Sequence, residues 1–255
     1  MIFFFISAHP VISQPGGGKK NFHLYMLAGQ SNMAGRGEIE AEDKTTYPQI
    51  LVLNKANEWQ PATEPLHFDK PDITGVGPGL SFAKKMTEID SNIVIGLIPC
   101  AVGGSAINFW QPSKFYEPTK SYPYDDAIAR TKFAMQKGNL KGILWQQGES
   151  DSDSIKAKLY AGNLKSLVER FRYDLNLKDL PFVAGTLPEF YIAKRPYAKI
   201  INEAIILLPN SVPNTAVVYS SGLHHKGDDT HFNSASARLL GERYAAVYQT
   251  LFKNQ

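Results

Sequence analysis

A single cysteine, Cys100, is all that the 255 residues contain, which excludes an internal disulfide and any cysteine-based zinc cage. It lies in the apolar run IVIGLIPCAVGG, where a buried structural thiol is expected. An excess of one charge is also lacking. The formal net charge is only +3, with Lys and Arg interleaved among acidic residues, so no nucleic-acid partner is indicated. No segment supplies the roughly 20 apolar residues that a transmembrane helix needs. Several catalytic signatures are missing as well: the GxSxG elbow of α/β-hydrolase lipases, the HExxH zinc helix and the acidic calcium loop. GGGKK lacks phosphate-loop spacing, and GVGPG (75–79) does not directly follow a candidate strand, so neither reads as a nucleotide site. No metal or cofactor is expected.

What is present is ordinary for a globular chain with a substantial core, 43% hydrophobic and 20% charged. One domain over residues 21–255 is expected. The first 20 residues, MIFFFISAHPVISQPGGGKK, differ from the rest, with an apolar patch at 2–6 and a flexible stretch at 14–20. They read as a leader or remnant secretory signal, which points to a secreted or periplasmic protein.

From Phe22 onward, short apolar runs alternate with helical periodicity, the sequence pattern of βαβ units. Candidate strands are 22–28, 50–54, 92–99, 141–147, 182–187 and 216–221. Most are continuous apolar runs, as parallel strands covered on both faces require. Helices are expected at 79–90, 123–138, 155–175, 196–208 and 233–252. The elements predict a three-layer αβα sandwich around a mostly parallel sheet of about five strands. Long irregular stretches at 32–49, 55–78 and 104–122 carry Trp59, Phe68, Phe109, Trp110, Phe115 and Tyr116, and loops of such length usually line a binding site.

Three loops that follow candidate strands, GQSNMAG, CAVGGSAI and WQQGESD, open on the same edge of a parallel sheet. A fourth, HHKGDDTHFNSAS, follows the last strand. Nucleophilic catalysis by serine needs an Oγ, an imidazole, an acid to orient it and donors for the oxyanion. Ser31 supplies the first. His231 and Asp228 supply the next two, since their spacing puts both side chains on one side of a turn. His224, His225, Asp229 and Asp151 compete for these roles. The oxyanion donors expected are the N–H groups of Ser31, Gly103 and Gly104 and the side-chain amide of Gln147.

Together the blocks GQSNMAGRG, CAVGGSAI, WQQGESD and KGDDTHFN resemble those of the SGNH hydrolase superfamily, in particular carbohydrate esterases such as family 6 acetylxylan esterases and sialate O-acetylesterases. The resemblance runs in order from Phe22 to about Ala246. It implies a flavodoxin-like αβα sheet, removal of acetyl groups from sugars and no metal. Ser31 matches the nucleophile, Gly103–Ser105 the second block, and Asp228 and His231 the final DxxH. The family's usual third-block Asn is absent; Gln147 stands in its place, while Glu149 or Ser150 would tie the loop down. Gln30, Asn32, Trp110 and Glu149 are the residues expected to meet substrate, Asn32 also holding its own loop. The implied partner is an acetylated carbohydrate, with xylan, pectin, mannan and sialic acid all open. Two other readings compete: an SGNH lipase or thioesterase with an apolar acyl channel, and an inactive carbohydrate-binding protein on the same scaffold.

Overall fold

The computed structural model describes residues 18–252; the expected leader lies outside them up to residue 17. β1 (Phe22–Gly29) is the axis of the molecule. Its side chains alternate between two cores, Leu24, Met26 and Ala28 facing one and Tyr25 and Leu27 the other. A strand apolar on both faces is stable only between two covering layers.

The remaining strands are β2 (Ile50–Leu53), β3 (Trp59–Pro61), β4 (Val94–Pro99), β5 (Asn139–Gln146), β6 (Phe182–Gly185) and β7 (Thr215–Val218). They form one sheet in the order β3-β2-β4-β1-β5-β6-β7. All neighbours are parallel except β2 and β3. The sheet therefore has seven strands rather than about five. All six apolar runs become strands. The seventh, β3, falls inside a stretch read as irregular, because three residues ending in Pro61 at a sheet edge carry no alternation to detect.

Helices Pro123–Ala134, Lys156–Asp174 and Ala198–Leu207 cover one face, and Gly79–Ile89 with Ser234–Phe252 the other, giving the αβα sandwich. Trp110 departs from expectation. It is fully buried, its ring edge-on to Trp145 at 5.0 Å, and its Nε1 donates to Ser105 Oγ at 3.0 Å. It offers no face to a sugar. An indole buries more apolar area than most side chains, and here that area anchors the 104–122 loop from beneath. Trp59 likewise packs on Phe22.

After β1 the chain runs to β2 and β4 on one side, then crosses to β5, β6 and β7 on the other. The carboxyl end of β1 is thus the topological switch point, where flanking loops diverge and leave a crevice.

Candidate active site

β1 stops at Gly29, whose φ of +125° and contact with β5 admit no side chain: a Cβ there would lie 2.2 Å from the Gln146 carbonyl oxygen. The chain then turns into a single helical turn, Ser31–Ala34. The Gln30 carbonyl accepts from Met33 and Ala34, both at 2.9 Å. As the first residue of that turn, Ser31 keeps an N–H with no partner among the described residues.

Ser31 Oγ lies 3.0 Å from His231 Nε2, and His231 Nδ1 lies 2.7 Å from Asp228 Oδ2. Asp228 Oδ1 also accepts the backbone N–H groups of His231 at 2.8 Å and Thr230 at 3.0 Å. Desolvation works against the Asp228 carboxylate, but these hydrogen bonds prevail and hold its pKa down at about 2. Burial lowers the pKa of His231, Asp228 opposes the shift, and Arg36 and Lys226 add to it. The imidazole is therefore neutral at ordinary pH, with Nδ1–H fixed on Asp228 and the Nε2 lone pair turned to the serine.

The competing groups sit elsewhere. His225 Nδ1 accepts from Gly227 at 3.0 Å and Asp229 at 3.3 Å, which leaves its Nε2 for the Asp229 carboxylate. Asp229 is also paired with Lys194. Asp151 is buried and accepts from the Ile107 N–H at 2.8 Å. His224 donates its backbone N–H to Ser236.

Several residues expected at the substrate or the oxyanion are instead committed to the protein. The Gly103 N–H donates to Asp69 Oδ2 at 2.7 Å, so it is not free. Gln147 points its amide N–H groups at Asp151 Oδ2 (2.6 Å), Gln30 Oε1 (3.1 Å) and the Ser105 carbonyl (3.2 Å). Its only other polar atom is an oxygen, which cannot donate. Gln30 accepts from Gln147 and from the Ser150 N–H, and Ser150 Oγ donates to the Gly104 carbonyl at 2.9 Å. Of the donors expected, the N–H groups of Ser31 and Gly104 are the two without a partner among the described residues.

Asn32 does not reach outward either. Its Nδ2 donates to Glu149 Oε1 at 2.5 Å and to the Thr230 carbonyl at 3.0 Å, while its Oδ1 accepts the Phe232 N–H at 3.1 Å. It grips the chain on both sides of His231. Glu149, buried behind it, has its pKa pushed up to about 7 by desolvation, against the Asn32 hydrogen bond. Arg36, Asp69 and Lys226 went unnoticed in the sequence. Arg36 stands inside the first block, whereas nothing in the order of residues links Asp69 to it. Beside the site a cavity of about 680 Å³ is lined by His67, Phe68, Asp69, Cys100 and Arg130 but by none of the three aligned residues. Burial pushes the Cys100 thiol up to about 11, so it stays protonated.

A doubly wound αβα sheet bearing this Ser–His–Asp array at its switch point defines the class of SGNH-type hydrolases. Within that class the chain belongs to the carbohydrate esterases: residues 21–250 match the family described as carbohydrate esterase, sialic acid-specific acetylesterase. A probable carbohydrate esterase of Arabidopsis thaliana is 35% identical over 250 residues, covering 90% of this chain and 91% of the relative. A crystal structure of an Arabidopsis thaliana protein superposes with a TM-score of 0.79 at 32% identity, covering 91% of this chain and 98% of the other. NanS shares the fold at a TM-score of 0.75 and 21% identity, with 93% and 99% covered. So does a carbohydrate acetylesterase from Xanthomonas citri, at 0.71 and 19%, with 91% and 57% covered. The protein is thus a carbohydrate esterase, of a family that removes O-acetyl groups from sugars.

Proposed function

We propose that the deacetylation is serine-dependent and passes through an acetyl-enzyme. Ser31 Oγ attacks the acetyl carbonyl carbon as its proton moves to His231 Nε2. The carbonyl oxygen becomes an oxyanion facing the N–H groups of Ser31 and Gly104. The bond from carbon to the sugar oxygen then breaks, and that oxygen takes the proton from His231. Water repeats the sequence: its proton goes to His231, its oxygen attacks the acetyl-enzyme, and acetate leaves while Ser31 recovers its proton. Asp228 stays ionised throughout and stabilises the transient imidazolium. The observation that carries this reading is the continuous alignment Oγ–Nε2 at 3.0 Å and Nδ1–Oδ2 at 2.7 Å. The apolar patch at residues 2–6 supports export.

The test is hydrolysis of p-nitrophenyl acetate against p-nitrophenyl octanoate by the wild type and by Ser31→Ala. Preference for acetate, with the variant inactive, supports the reading; acetylated sialic acid and acetylated xylan are then the first sugars to screen. Preference for octanoate favours a long-chain acyl hydrolase. A wild type inactive on both, or a variant as active as the wild type, overturns the serine mechanism.

A further inference from the structure

The ion pair Arg36–Asp69 is almost completely enclosed, both side chains 3% exposed, with Arg36 Nη2 2.9 Å from Asp69 Oδ2. Stability alone is a weak reason for such a pair, because removing two charges from water offsets most of their attraction, and a well-packed apolar pair would serve as well. Its hydrogen bonds suggest another reason. Arg36 Nη1 donates to the Gly35 carbonyl at 2.6 Å, in the segment that leaves Ser31. Asp69 Oδ2 accepts the Gly103 N–H at 2.7 Å, in the glycine turn after β4. The Arg36 carbonyl accepts Lys226 Nζ at 3.0 Å, in the loop that carries Asp228 and His231. One pair therefore connects three loops that arrive from distant parts of the chain.

The contact at Gly103 is the tightest. A Cβ there would lie 2.3 Å from Arg36 Nη2 and 2.7 Å from Asp69 Oδ2, so the backbone rests directly on the ion pair. Because the Gly103 N–H is held by Asp69, the peptide that follows is oriented, and its N–H, that of Gly104 at φ +84°, has no partner among the described residues. A free donor is useful to an oxyanion only when its direction is fixed before the reaction.

We propose that Arg36 and Asp69 are positioning residues: they hold the Gly103–Gly104 turn so that the Gly104 N–H faces the oxyanion formed on a Ser31 adduct. This rests on the serine esterase reading above. The pair acts through Gly104 and touches no reacting atom, so its effect belongs to the transition state and falls on kcat rather than on KM.

The experiment uses the full chain with Asp69→Asn and Arg36→Lys, each checked for folding by circular dichroism and thermal melting. Two quantities are read: steady-state kinetics on p-nitrophenyl acetate, and inhibition by methylboronic acid. The tetrahedral adduct of that boronate with Ser31 places an oxygen where the oxyanion forms. A lost oxyanion donor lowers kcat by about 10²–10³, so a misdirected one is expected to lower it by roughly 10- to 100-fold. KM should stay within about threefold, and methylboronic acid should weaken by the same factor as kcat. If Asp69→Asn does not fold, Arg36→Lys carries the test, since it keeps the charge but loses the fork that reaches Gly35 and Asp69 together. Folded variants with wild-type kcat overturn the proposal. So does a fall in kcat with boronate affinity unchanged, because the loss then lies outside the oxyanion turn. A wild type inactive on the acetate ester would instead sink the serine esterase reading, a distinguishable failure.

Discussion

Asn32→Ala separates two roles for a residue that the sequence placed at the substrate and the structure places behind the histidine. The substitution removes three hydrogen bonds, to Glu149 Oε1, the Thr230 carbonyl and the Phe232 N–H. The Thr230 carbonyl is partly exposed and water can replace its donor. The Phe232 N–H and the Glu149 Oε1 are buried and lose the Asn32 partner. At about 1–3 kcal/mol for each buried polar group orphaned, the expected loss of stability is on the order of 2–6 kcal/mol. The catalytic consequence is separate. With both neighbours of His231 released, the imidazole is no longer held 3.0 Å from Ser31, and a displacement of about 1 Å costs on the order of 10²-fold in rate. Urea unfolding gives the first quantity, and kcat on p-nitrophenyl acetate below the unfolding transition gives the second. A stably folded variant with kcat near the wild-type value and a raised KM would refute the positioning role and restore Asn32 as a substrate contact.

Two other predictions follow from ionisation. The acid limb of kcat/KM should have its midpoint below the ordinary histidine value of 6.5, because burial lowers the His231 pKa and the base must be neutral to act; a midpoint above 6.5 in a pH–rate profile counts against His231 as the base. Glu149 gives a stability test. Its folded pKa is raised from 4.5 to about 7, so the native state binds the proton more tightly than the unfolded chain, and stability falls as pH rises through that interval. Glu149→Gln keeps an acceptor for Asn32 and removes the charge, so it should melt higher than the wild type at pH 8 by up to about 3 kcal/mol of stability and equally at pH 4. Equal melting temperatures at both pH values would show that the carboxyl is not desolvated as the geometry requires.

Much of the fold can be read from local pattern. β1, β4 and β5 are apolar runs that only a sheet covered on both faces can bury, and the five long helices begin and end within a few residues of where their periodicity and entry residues put them. β3 escaped because an edge strand of three residues makes no demand on pattern. Among the site residues, Ser31 was legible from a strand that ends in glycine, and Asp228 with His231 from their spacing within one turn. Trp110, Gln30, Asn32 and Glu149 were expected at the substrate from residue type, and the structure instead has each of them buried and bonded to other parts of the chain, contacts that residue type does not reveal. The donors divide the same way. Gly103 and Gly104 are equivalent in sequence, and Asp69, far away in the chain, takes the N–H of one and leaves the other.

The order of residues thus determined the layers of the sandwich and singled out Ser31, His231 and Asp228, the residues of the proposed mechanism, because side-chain periodicity and short-range turn geometry are local properties. Which polar groups are free to meet a substrate, and which are consumed in holding the loops, was decided by the tertiary structure alone. A donor held inside the protein is not free for a substrate, and here the partners, Asp69 for Gly103, Asp151 for Gln147 and Glu149 for Asn32, are chosen where loops distant in sequence converge at the end of β1.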